Sequence, residues 1–548
     1  MSITGSELVG ATLERLGVDS FFYVMGAPMM GAEKASINRG IRGVDVRHEQ
    51  AAAMMAQAYS RVRNRPGVCM ACSGPGVMNF GTGLANAMVD GAPVVALGGS
   101  GPIAEYQTGG FQEFDQVAAM RPLTKWADRV YETERIPEMI DLAFRKALSG
   151  KPGPVYLDLP GDVLYRTVDE AKVRWPSQDR PFERARPYAN PAVIKQTIDA
   201  LRKARRPVVI SGTGVLWSGA SGQLQDWVSQ TGMPIYTTPQ GRGVVPEDSE
   251  NTYLNARSIA LREADFVLVV GTRLNYVFGQ GLAPRFNAEA TMARIDIDPM
   301  EIGCNGRVDI GIVGDAAAVL EQLCSAAKGA IDAAQYAPWR DHLRAIEDEK
   351  RVKQEEAIST DQLPIHPLRL CKEVRDFMDR DAVLAVDGQE ILNYGRQSIP
   401  THTAGHRLNS GPFGTMGVGL PFGIGAKVGL PDKQVIVLHG DGSFGMNGME
   451  LDTAVRHNIP VLVVISLNGG WTADPKGEKP GRNLGYTRFD EIARALGCHA
   501  EFVERPEDIR PALERANAAV KAGKPALVNV VTDGMARAQT VKFAASST

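Results

Sequence analysis

The stretch QVIVLHGDGS, residues 434–443, and the stretch PVLVVISLNGG, residues 460–470, decide the fold of this chain. Each is a short apolar run that ends in glycine and polar residues, as a buried strand followed by a tight turn does. Asp441 and Asn468 follow the two runs, and the 26 residues between them are enough for one helix and one strand. Both side chains are therefore predicted at the carboxyl edge of neighbouring parallel strands, where ligands bind.

These residues have the chemistry of a magnesium diphosphate site. The carboxylate of Asp441, the amide oxygen of Asn468 and a backbone carbonyl at Gly470 are hard oxygen ligands suited to Mg²⁺. Gly442 and Ser443 stand where a helix begins, so their backbone N–H groups can bind the same anion. The sequence predicts a diphosphate that Mg²⁺ bridges to the protein.

Similar apolar runs recur along the chain and alternate with helical patterns. They include GVCMAC, PVVALGG, GPVYLDLP, RPVVISG, FVLVVG, ARIDID, AVLAVDG and ALVNVV. Strands this apolar, separated by helices, are typical of parallel sheets covered on both faces. Two polar stretches, 175–191 and about 328–367, are interpreted as linkers. We therefore predict an α/β protein of three doubly wound parallel-sheet domains, over residues 1–180, 190–345 and 360–548.

The composition excludes several classes of protein. Hydrophobic residues make up 44% and charged residues 22% of the 548 residues, as in a folded globular protein. The 60 basic and 63 acidic residues give a net charge of −3, so no nucleic-acid partner is expected. No apolar run approaches the roughly 18 residues that span a bilayer, and no export signal opens the sequence, so we expect no membrane association and a cytoplasmic location. The six cysteines are scattered, and no disulfide is expected.

With these motifs the sequence resembles the thiamin-dependent decarboxylase and lyase superfamily. The G-D-G and N-G-G elements are similar to its thiamin diphosphate motif. The segment VRHEQAA, residues 46–52, is similar to its glutamate motif, which implies that Glu49 hydrogen-bonds N1′ of the aminopyrimidine and promotes its imino tautomer. The segment GTMG, residues 414–417, implies that the Gly414 carbonyl accepts from the 4′-amino group and that Met416 bends the coenzyme into a V shape.

The resemblance also implies roles for the three domains. The first binds the aminopyrimidine, and the third binds the diphosphate and carries a C-terminal lid. Gly388 and Gln389 belong to a segment that resembles the loop meeting the diphosphate from the other side. In this superfamily the domain of Glu49 on one chain faces the domain of Asp441 on another. A homodimer or homotetramer with its sites at the subunit interface is therefore expected.

Several branches of the superfamily share this coenzyme, and other segments indicate the branch. None of the eight histidines is adjacent to another, which disfavours the pyruvate-decarboxylase route with its His-His pair. The segment GFQEFDQ, residues 110–116, is similar to 2-hydroxyacyl-CoA lyases. RLNY, residues 273–276, and GLAPRF, residues 281–286, are similar to these lyases and to oxalyl-CoA decarboxylases. The leading hypothesis is reversible cleavage of a 2-hydroxyacyl-CoA to an aldehyde or ketone plus formyl-CoA.

The expected substrate contacts follow from the same resemblance. Gln112 is expected to hydrogen-bond the substrate oxygen, and Glu478 to shuttle a proton from a mobile loop. The other expected substrate contacts are Pro28, Phe111, Arg396, Trp471 and Arg537. Arginines suit the phosphates of coenzyme A because their planar fork bonds two oxygens at once.

Two departures from the CoA-dependent enzymes keep other reactions open. Ala27 precedes Pro28 where those enzymes usually have isoleucine, and the loop 471–478 differs from theirs. The segment DQVAAMRPLTKWADRV, residues 115–130, also resembles acetolactate synthase and benzaldehyde lyase. A carboligase of either type, an oxalyl-CoA decarboxylase and a non-catalytic relative are the alternatives. The intact coenzyme motifs argue against the last.

The middle domain carries a nucleotide signal. ISGTGVLWSG, residues 210–219, looks like a nucleotide-binding loop but lacks the full dinucleotide spacing. In the superfamily this domain binds ADP in some enzymes and FAD in others, and Gly212, Arg273, Asp296 and Asp315 stand in the matching places. ADP, FAD and an empty domain all remain open.

Overall fold

Three parallel sheets follow one another along the chain. The structure, a computed structural model, describes residues 2–176, 184–474 and 476–538. Apolar layers and helices cover the sheets, so the predicted α/β class with three parallel-sheet domains is confirmed. Among the described residues no helix combines the length and the apolarity needed to cross a bilayer.

The N-terminal domain is built on a six-stranded parallel sheet. The domain as a whole has eight strands among its described residues, which are β1 (Ser2–Thr4), β2 (Ser20–Val24), β3 (Arg42–Asp45), β4 (Gly67–Ala71), β5 (Val94–Ser100), β6 (Trp126–Arg129), β7 (Val155–Pro160) and β8 (Thr167–Asp169). Its helices are α1 (Gly5–Arg15), α2 (Met30–Asn38), α3 (Glu49–Arg63), α4 (Pro75–Asn79), α5 (Gly81–Asp90), α6 (Gln116–Met120), α7 (Ile136–Leu148) and α8 (Gly161–Tyr165). The strand order is β3-β2-β4-β5-β7-β6, while β1 and β8 form a separate antiparallel pair.

Strand β4 shows how this sheet is buried on both sides. Val68 and Met70 belong to an apolar layer with residues of α1 and α7, whereas Cys69 and Ala71 belong to a layer with residues of α3 and α5. A strand with both faces buried is apolar at every position, which explains the continuous run GVCMA. Cys69 is a core residue, and all six cysteines are free.

The middle domain is built on a five-stranded parallel sheet. Its strands are β9 (Pro207–Ser211), β10 (Ile235–Thr237), β11 (Phe266–Val270), β12 (Thr291–Asp296) and β13 (Ile310–Val313), in the order β10-β9-β11-β12-β13. Its helices are α9 (Pro191–Lys203), α10 (Thr213–Ser218), α11 (Ser221–Thr231), α12 (Arg257–Glu263), α13 (Ala316–Ala327) and α14 (Ala337–Ile358).

Helix α14 corrects one expectation, because the polar segment 328–367 was interpreted as a linker. The helix is 22 residues long and packs on the middle domain through Trp339 and Leu343. The indole N–H of Trp339 donates to the Pro207 carbonyl at 3.2 Å. Most other positions of the helix are polar and exposed, so its sequence lacks the apolar stripe that identifies a packed helix. Of the other expected linker, 175–191, residues 177–183 lie outside the described part of the chain.

The C-terminal domain is built on a second six-stranded parallel sheet. Its strands are β14 (Val383–Asp387), β15 (Arg407–Leu408), β16 (Val435–Gly440), β17 (Leu462–Leu467), β18 (His499–Val503) and β19 (Ala526–Val531), in the order β15-β14-β16-β17-β19-β18. Its helices are α15 (Pro367–Phe377), α16 (Glu390–Ser398), α17 (Gly419–Gly429), α18 (Asp441–Asn447), α19 (Glu450–Arg456), α20 (Phe489–Ala495) and α21 (Pro506–Lys521).

The N-terminal and C-terminal domains of one chain pack directly on each other. Helix α3 lies against α17, and a Cβ atom added at Gly425 would lie 2.2 Å from the Met55 carbonyl oxygen. Only glycine allows so close an approach of two helices. The backbone N–H of Arg47 donates to Glu450 Oε1 at 3.1 Å across the same interface. These contacts fix the two domains that carry the predicted coenzyme motifs.

Candidate active site

The predicted metal ligands of the C-terminal domain lie side by side. Strands β16 and β17 pair in parallel with Gly440 opposite Ser466, so the residues that follow them emerge at the same edge. Asp441 Oδ2 and Asn468 Oδ1 both accept the N–H of Gly470, each at 3.1 Å. The structure therefore brings together the three residues that the sequence predicts at Mg²⁺.

The electrostatics of Asp441 suit a cation ligand. The residue is only 4% exposed, and burial raises the pKa of its carboxyl to about 6. Hydrogen bonds from the backbone N–H groups of Gly442, Gly469 and Gly470 oppose that rise, so the carboxylate is mainly ionised at neutral pH. In the described residues no three His, Cys, Asp or Glu side chains cluster as a metal site. A metal at Asp441 would therefore also need amide and carbonyl oxygens.

The turn after Asp441 is kept open by glycine. A Cβ atom at Gly442 would lie 2.6 Å from Cε3 of Trp471, so the indole ring rests on this turn. Trp471, expected at the substrate, thus lies against the turn predicted to bind diphosphate. The buried Ser443 hydroxyl donates to the Gly440 carbonyl at 3.0 Å and lies 3.1 Å from His439 Nδ1. That hydroxyl is engaged internally, which leaves the backbone of Ser443 for an anion.

A cavity of about 430 Å³ lies between the middle and C-terminal domains. Residues predicted to bind coenzyme or substrate line it, namely Gly388, Gln389, Arg396, Gly414 and Met416. The side chain of Met416 is 36% exposed and thus accessible to a ligand. The cavity therefore joins the predicted coenzyme residues to a space large enough for part of a substrate.

Two loops at this cavity contact the metal turn or the helix α18 that follows it. Gly388 has a φ of +116°, and a Cβ atom there would lie 3.1 Å from the Gly440 nitrogen, so glycine is required. Asn447 Nδ2 donates to the Gly417 carbonyl at 2.7 Å, which anchors the loop of Gly414 and Met416. The loop of Gly388 thus lies against the turn of Asp441, and the loop of Gly414 and Met416 is anchored to the helix that begins at Asp441.

Arginines outnumber carboxylates beside this cavity. Arg396 is half-buried, its Nε has no hydrogen-bond partner in the described residues, and burial and the nearby Arg242 lower its pKa. Arg242 pairs with Glu247. Arg407 is buried and Arg257 is half-buried close by, and within the described chain neither they nor Arg396 form an ion pair with a carboxylate. Such a surplus of buried positive charge favours an anionic ligand.

Glu49 is the first residue of α3 and is buried in the N-terminal domain. Its Oε2 accepts from Asn79 Nδ2 at 2.8 Å, and a Cβ atom at Gly76 would lie 3.2 Å from its Oε1. His48 caps the helix, its Nδ1 accepting the N–H of Gln50 at 3.2 Å. Asn79 was missed by the sequence reasoning, because only folding brings it next to Glu49.

Gln112 and Pro28 lie at a neighbouring loop of the same domain. Gln112 Oε1 accepts from the Ser73 hydroxyl at 2.6 Å, and the Ser73 N–H donates to the Ala27 carbonyl at 3.3 Å, which places Pro28 beside it. Phe111 is 88% exposed. Glu49, Gln112 and Ala27, which precedes Pro28, thus hydrogen-bond the segment from Ser73 to Asn79, and the exposed Phe111 precedes Gln112 in the chain.

A buried polar network supports this segment. Gln116 Oε1 accepts the N–H of Gly74 at 2.5 Å, and its Nε2 donates to Asp158 Oδ1 at 2.8 Å. Asp158 also accepts from the Ser100 hydroxyl at 2.7 Å and from Arg129 Nε at 2.6 Å. Gln116 lies in the segment that indicated the branch, yet sequence reasoning gave it no role. Its position fixes the backbone on which Gln112 rests.

The loop after Asn468 and the C-terminal tail lie against each other. Arg537 Nη2 donates to the Ala473 carbonyl at 3.3 Å, and the N–H of Ala538 donates to Glu390 Oε2 at 3.0 Å. Glu478 is exposed, and its N–H donates to Asp474 Oδ1 at 3.2 Å. The structure thus leaves Glu478 on the loop and does not bond it to the predicted residues of the N-terminal domain.

Within one chain the two halves of the predicted site stay separate. In the residues described, the side-chain hydrogen bond of Glu49 stays in the N-terminal domain, and those of Asp441 and Asn468 stay in the C-terminal domain. Direct bonds between the domains run instead through pairs such as Arg47 and Glu450.

A second cavity, of about 400 Å³, lies at the predicted nucleotide residues of the middle domain. Arg273, Asp296 and Asp315 line it, whereas Gly212 does not and packs against Thr272. Burial raises the pKa of Asp296, and the Asp315 carboxylate caps helix α13. Arg273 and Thr272 also line the first cavity, so the two cavities share a wall.

Three family models match the chain in the order of its domains. They are the thiamine pyrophosphate enzyme N-terminal TPP binding domain over residues 3–119, the thiamine pyrophosphate enzyme central domain over residues 194–323, and the thiamine pyrophosphate enzyme C-terminal TPP binding domain over residues 393–530.

Similar curated proteins cover nearly the whole chain. The probable acetolactate synthase of Mycobacterium bovis is 34% identical over 541 residues, which cover 96% of this chain and 95% of that protein. The 2-hydroxyacyl-CoA lyase 1 of Mus musculus is 32% identical, with 97% and 94% covered. The oxalyl-CoA decarboxylase of Escherichia coli (strain K12) is 32% identical, with 96% and 95% covered. Because relatives align along nearly its full length and the family models match its domains in order, the chain belongs to the thiamine pyrophosphate enzyme family.

Proposed function

We propose that the chain is a thiamin diphosphate- and Mg²⁺-dependent carbon–carbon lyase that cleaves a 2-hydroxyacyl-CoA to an aldehyde or ketone plus formyl-CoA, and also catalyses the reverse condensation. One observation carries the choice of substrate. The cavity lined by Met416 has Arg396 and Arg273 on its wall, and Arg257 and Arg407, which form no ion pair with a carboxylate within the described chain, lie close to Arg396. Coenzyme A brings several phosphates, which such a surplus of guanidinium groups binds well.

The residues of the C-terminal domain fit Mg²⁺ and a diphosphate. Asp441 and Asn468 present side-chain oxygens at one point, and the Gly470 carbonyl accepts no hydrogen bond from the described chain. These oxygens are the ligands that Mg²⁺ prefers. Gly442 and Ser443 add backbone N–H groups at the start of α18. When bound, thiamin diphosphate supplies a carbon nucleophile at thiazolium C2 and an electron sink for the carbanion that cleavage leaves.

The protein residues then divide the work. The Glu49 carboxyl, which Asn79 orients, hydrogen-bonds N1′ of the aminopyrimidine and moves a proton at that nitrogen. The amide of Gln112 binds the substrate hydroxyl, Phe111 helps to exclude water, and Arg396 binds a phosphate of the CoA portion. In the described chain Glu478 stays on its exposed loop, from which it shuttles a proton.

The complete site is proposed to form between two chains, in a homodimer or homotetramer. Glu49 and Asp441 make no common contact within one described chain. Exposed apolar side chains stand near both half-sites, among them Phe111, Met446 and Met449. Apolar groups of this size are typical of a surface that another subunit covers.

A nucleotide, ADP or FAD, is proposed for the cavity of the middle domain. Arg273 and Lys151 offer cationic groups to its phosphates, and Asp296 offers a carboxylate to its ribose. Denaturing the purified protein and identifying any released nucleotide by its absorption spectrum and mass tests this assignment.

The decisive experiment supplies thiamin diphosphate and Mg²⁺ and compares substrates. Incubation with formyl-CoA and an aldehyde is expected to yield a new hydroxyacyl thioester. Parallel reactions contain pyruvate or oxalyl-CoA, and Glu49→Gln serves as the control that retains the fold. Formation of a hydroxyketone or hydroxyketo acid from pyruvate, with no thioester product, would overturn the lyase assignment in favour of a carboligase.

The second candidate is a carboligase of the acetolactate-synthase or benzaldehyde-lyase type. It is supported by the 34% identity with the probable acetolactate synthase of Mycobacterium bovis. The alternative of an oxalyl-CoA decarboxylase is supported by the same arginines, since its substrate also carries the phosphates of coenzyme A. It predicts release of CO₂ from oxalyl-CoA. Product analysis of the same three reactions separates these activities.

A further inference from the structure

Arg482 lies in the loop between β17 and α20, and its side chain is directed at the turn of the predicted metal ligands. The residue is 9% exposed. Its guanidinium donates to five oxygens, which are Thr472 O at 2.6 Å, Gly469 O at 3.2 Å, Asn483 Oδ1 at 3.3 Å, Asn468 O at 3.4 Å and Gly534 O at 3.1 Å. None of these acceptors is a carboxylate. Within the described chain the guanidinium thus hydrogen-bonds neutral oxygens, while its charge also acts on the nearby Asp441 carboxyl and opposes the rise in the pKa of that group.

The backbone around Arg482 also hydrogen-bonds the turn of the predicted metal ligands. The N–H of Trp471 donates to the Arg482 carbonyl at 3.1 Å, and the N–H of Leu484 donates to the Gly469 carbonyl at 2.9 Å. These two bonds form an antiparallel bridge in which Gly470 faces Asn483. The metal turn is thus held by two backbone bonds and by the guanidinium.

The bonds of Arg482 distinguish the Gly470 carbonyl oxygen from the other carbonyl oxygens of the turn. Arg482 binds the carbonyls of Asn468, Gly469 and Thr472, so these three oxygens point at the guanidinium. The Gly470 carbonyl accepts no bond from the described chain. A planar guanidinium with five N–H donors can bind several carbonyls at once, whereas an ammonium group on a single stem cannot reproduce that pattern.

We infer that Arg482 is a positioning residue for the metal: it draws the neighbouring carbonyls away and leaves the Gly470 carbonyl, with Asp441 and Asn468, to face Mg²⁺. This inference rests on the proposed magnesium site. Arg482 itself does not touch the metal, since a cation is not a ligand for a cation. Its effect is on the affinity for Mg²⁺ and not on the chemical step.

The test measures Mg²⁺ binding by titration calorimetry at saturating thiamin diphosphate. Arg482→Lys is expected to weaken Mg²⁺ binding about tenfold, and Arg482→Ala more, while turnover recovers at saturating Mg²⁺. Arg340→Ala is the matched control, because Arg340 also donates to two carbonyls, those of Gly232 and Ala333, but in the middle domain. The control variant should bind Mg²⁺ as the unaltered protein does. Free guanidinium should restore Mg²⁺ affinity to Arg482→Ala.

Two outcomes separate the inference from the proposed function. If the unaltered protein binds no Mg²⁺, the magnesium site itself fails; if it binds Mg²⁺ and folded Arg482 variants bind it equally well, only the role of Arg482 fails. If both variants unfold, hydrogen exchange of backbone amides in the unaltered protein tests the inference instead. Exchange of the Trp471 and Leu484 amides should slow several-fold on adding Mg²⁺ and thiamin diphosphate, and unchanged exchange would overturn the inference.

Discussion

The N-terminal and C-terminal domains have the same strand order, yet they surround their buried carboxylates differently. Counted within each six-stranded sheet, the order is 2-1-3-4-6-5 in both. In the C-terminal domain Asp387 accepts the backbone N–H groups of Gly388 and Gly419, among others, and Asp441 accepts those of Gly442 and Gly470, among others. In the N-terminal domain Glu49 accepts one side-chain amide, and the two oxygens of the buried Glu33 have no partner in the described chain.

This difference shows how one fold produces two kinds of acid. Burial alone raises the pKa of Glu33 to about 8, whereas backbone N–H groups oppose the same effect and hold Asp387 and Asp441 at a pKa of about 6. The ionised form is favoured wherever a glycine-rich turn directs N–H groups at the carboxylate. The turns at the sheet edge therefore determine the protonation of these carboxyl groups, and the sheet only positions the turns.

The sharpest way to break the comparison is Glu49→Gln. The substitution keeps the size of the side chain and its contact with Asn79 but removes the group that moves a proton. Turnover is expected to fall by about 10³-fold, while the affinity for thiamin diphosphate changes only a few-fold. Steady-state kinetics and calorimetry measure the two effects. Glu14→Gln, at an exposed position of the same domain, is the control, and full turnover of Glu49→Gln would refute the proposed role.

The corresponding change in the C-terminal domain is Asp441→Ala. Loss of the only carboxylate in the predicted metal turn is expected to weaken Mg²⁺-dependent thiamin diphosphate binding by about 100-fold or more. The rise in melting temperature that Mg²⁺ and thiamin diphosphate cause together should disappear, as it should when a chelator removes Mg²⁺. Asp452→Ala, at a surface ion pair with Arg47, should keep that rise. An unchanged rise in Asp441→Ala would contradict the assignment.

Glu33→Gln tests whether the Glu33 carboxyl, which has no hydrogen-bond partner in the described chain, makes the stability of the protein depend on pH. The native protein keeps the Glu33 proton up to a pKa of about 8, whereas the unfolded chain loses it near 4.5. Stability is therefore fully present below pH 4.5 and falls as the pH rises toward 8. The variant should lack this part of the fall in stability, a difference on the order of 3 to 4 kcal/mol between pH 5 and pH 8. Urea denaturation at several pH values measures it, and parallel profiles for both proteins would show that Glu33 does not titrate this way.

The smallest expected effect is that of Asn79→Ala. The variant removes the one side-chain donor that Glu49 has among the described residues. A hydrogen bond of this kind contributes about 1 kcal/mol, so turnover should fall about fivefold. Asn79→Asp places a second carboxylate beside Glu49 and should lose more. Thiamin diphosphate affinity is the control measurement, since Asn79 lies away from the metal turn. Equal turnover in all three proteins would remove Asn79 from the site.

Local motifs were predictable from the sequence, and their partners were not. The turn of Asp441 and that of Asn468 each follow an apolar strand, so a short segment carries both the geometry and the ligand. Arg482 contacts the turn of Asn468, and Asn79 contacts Glu49. Both lie in other segments of the chain, in which no pattern marks them. Helix α14 was missed for a related reason, because only Trp339, Leu343 and Ile358 of its 22 residues are buried.

The sequence by itself determined the α/β class, the three sheets and the edge residues of the C-terminal domain, because strand burial and turn chemistry are properties of neighbouring residues. Only the tertiary structure decided which groups surround Glu49, Glu33 and the metal turn. Hydrogen bonding and burial depend on segments far apart in the chain, such as Arg482 with the Gly534 carbonyl. The charge state of a buried acid is therefore set by folding and not by the motif that contains it.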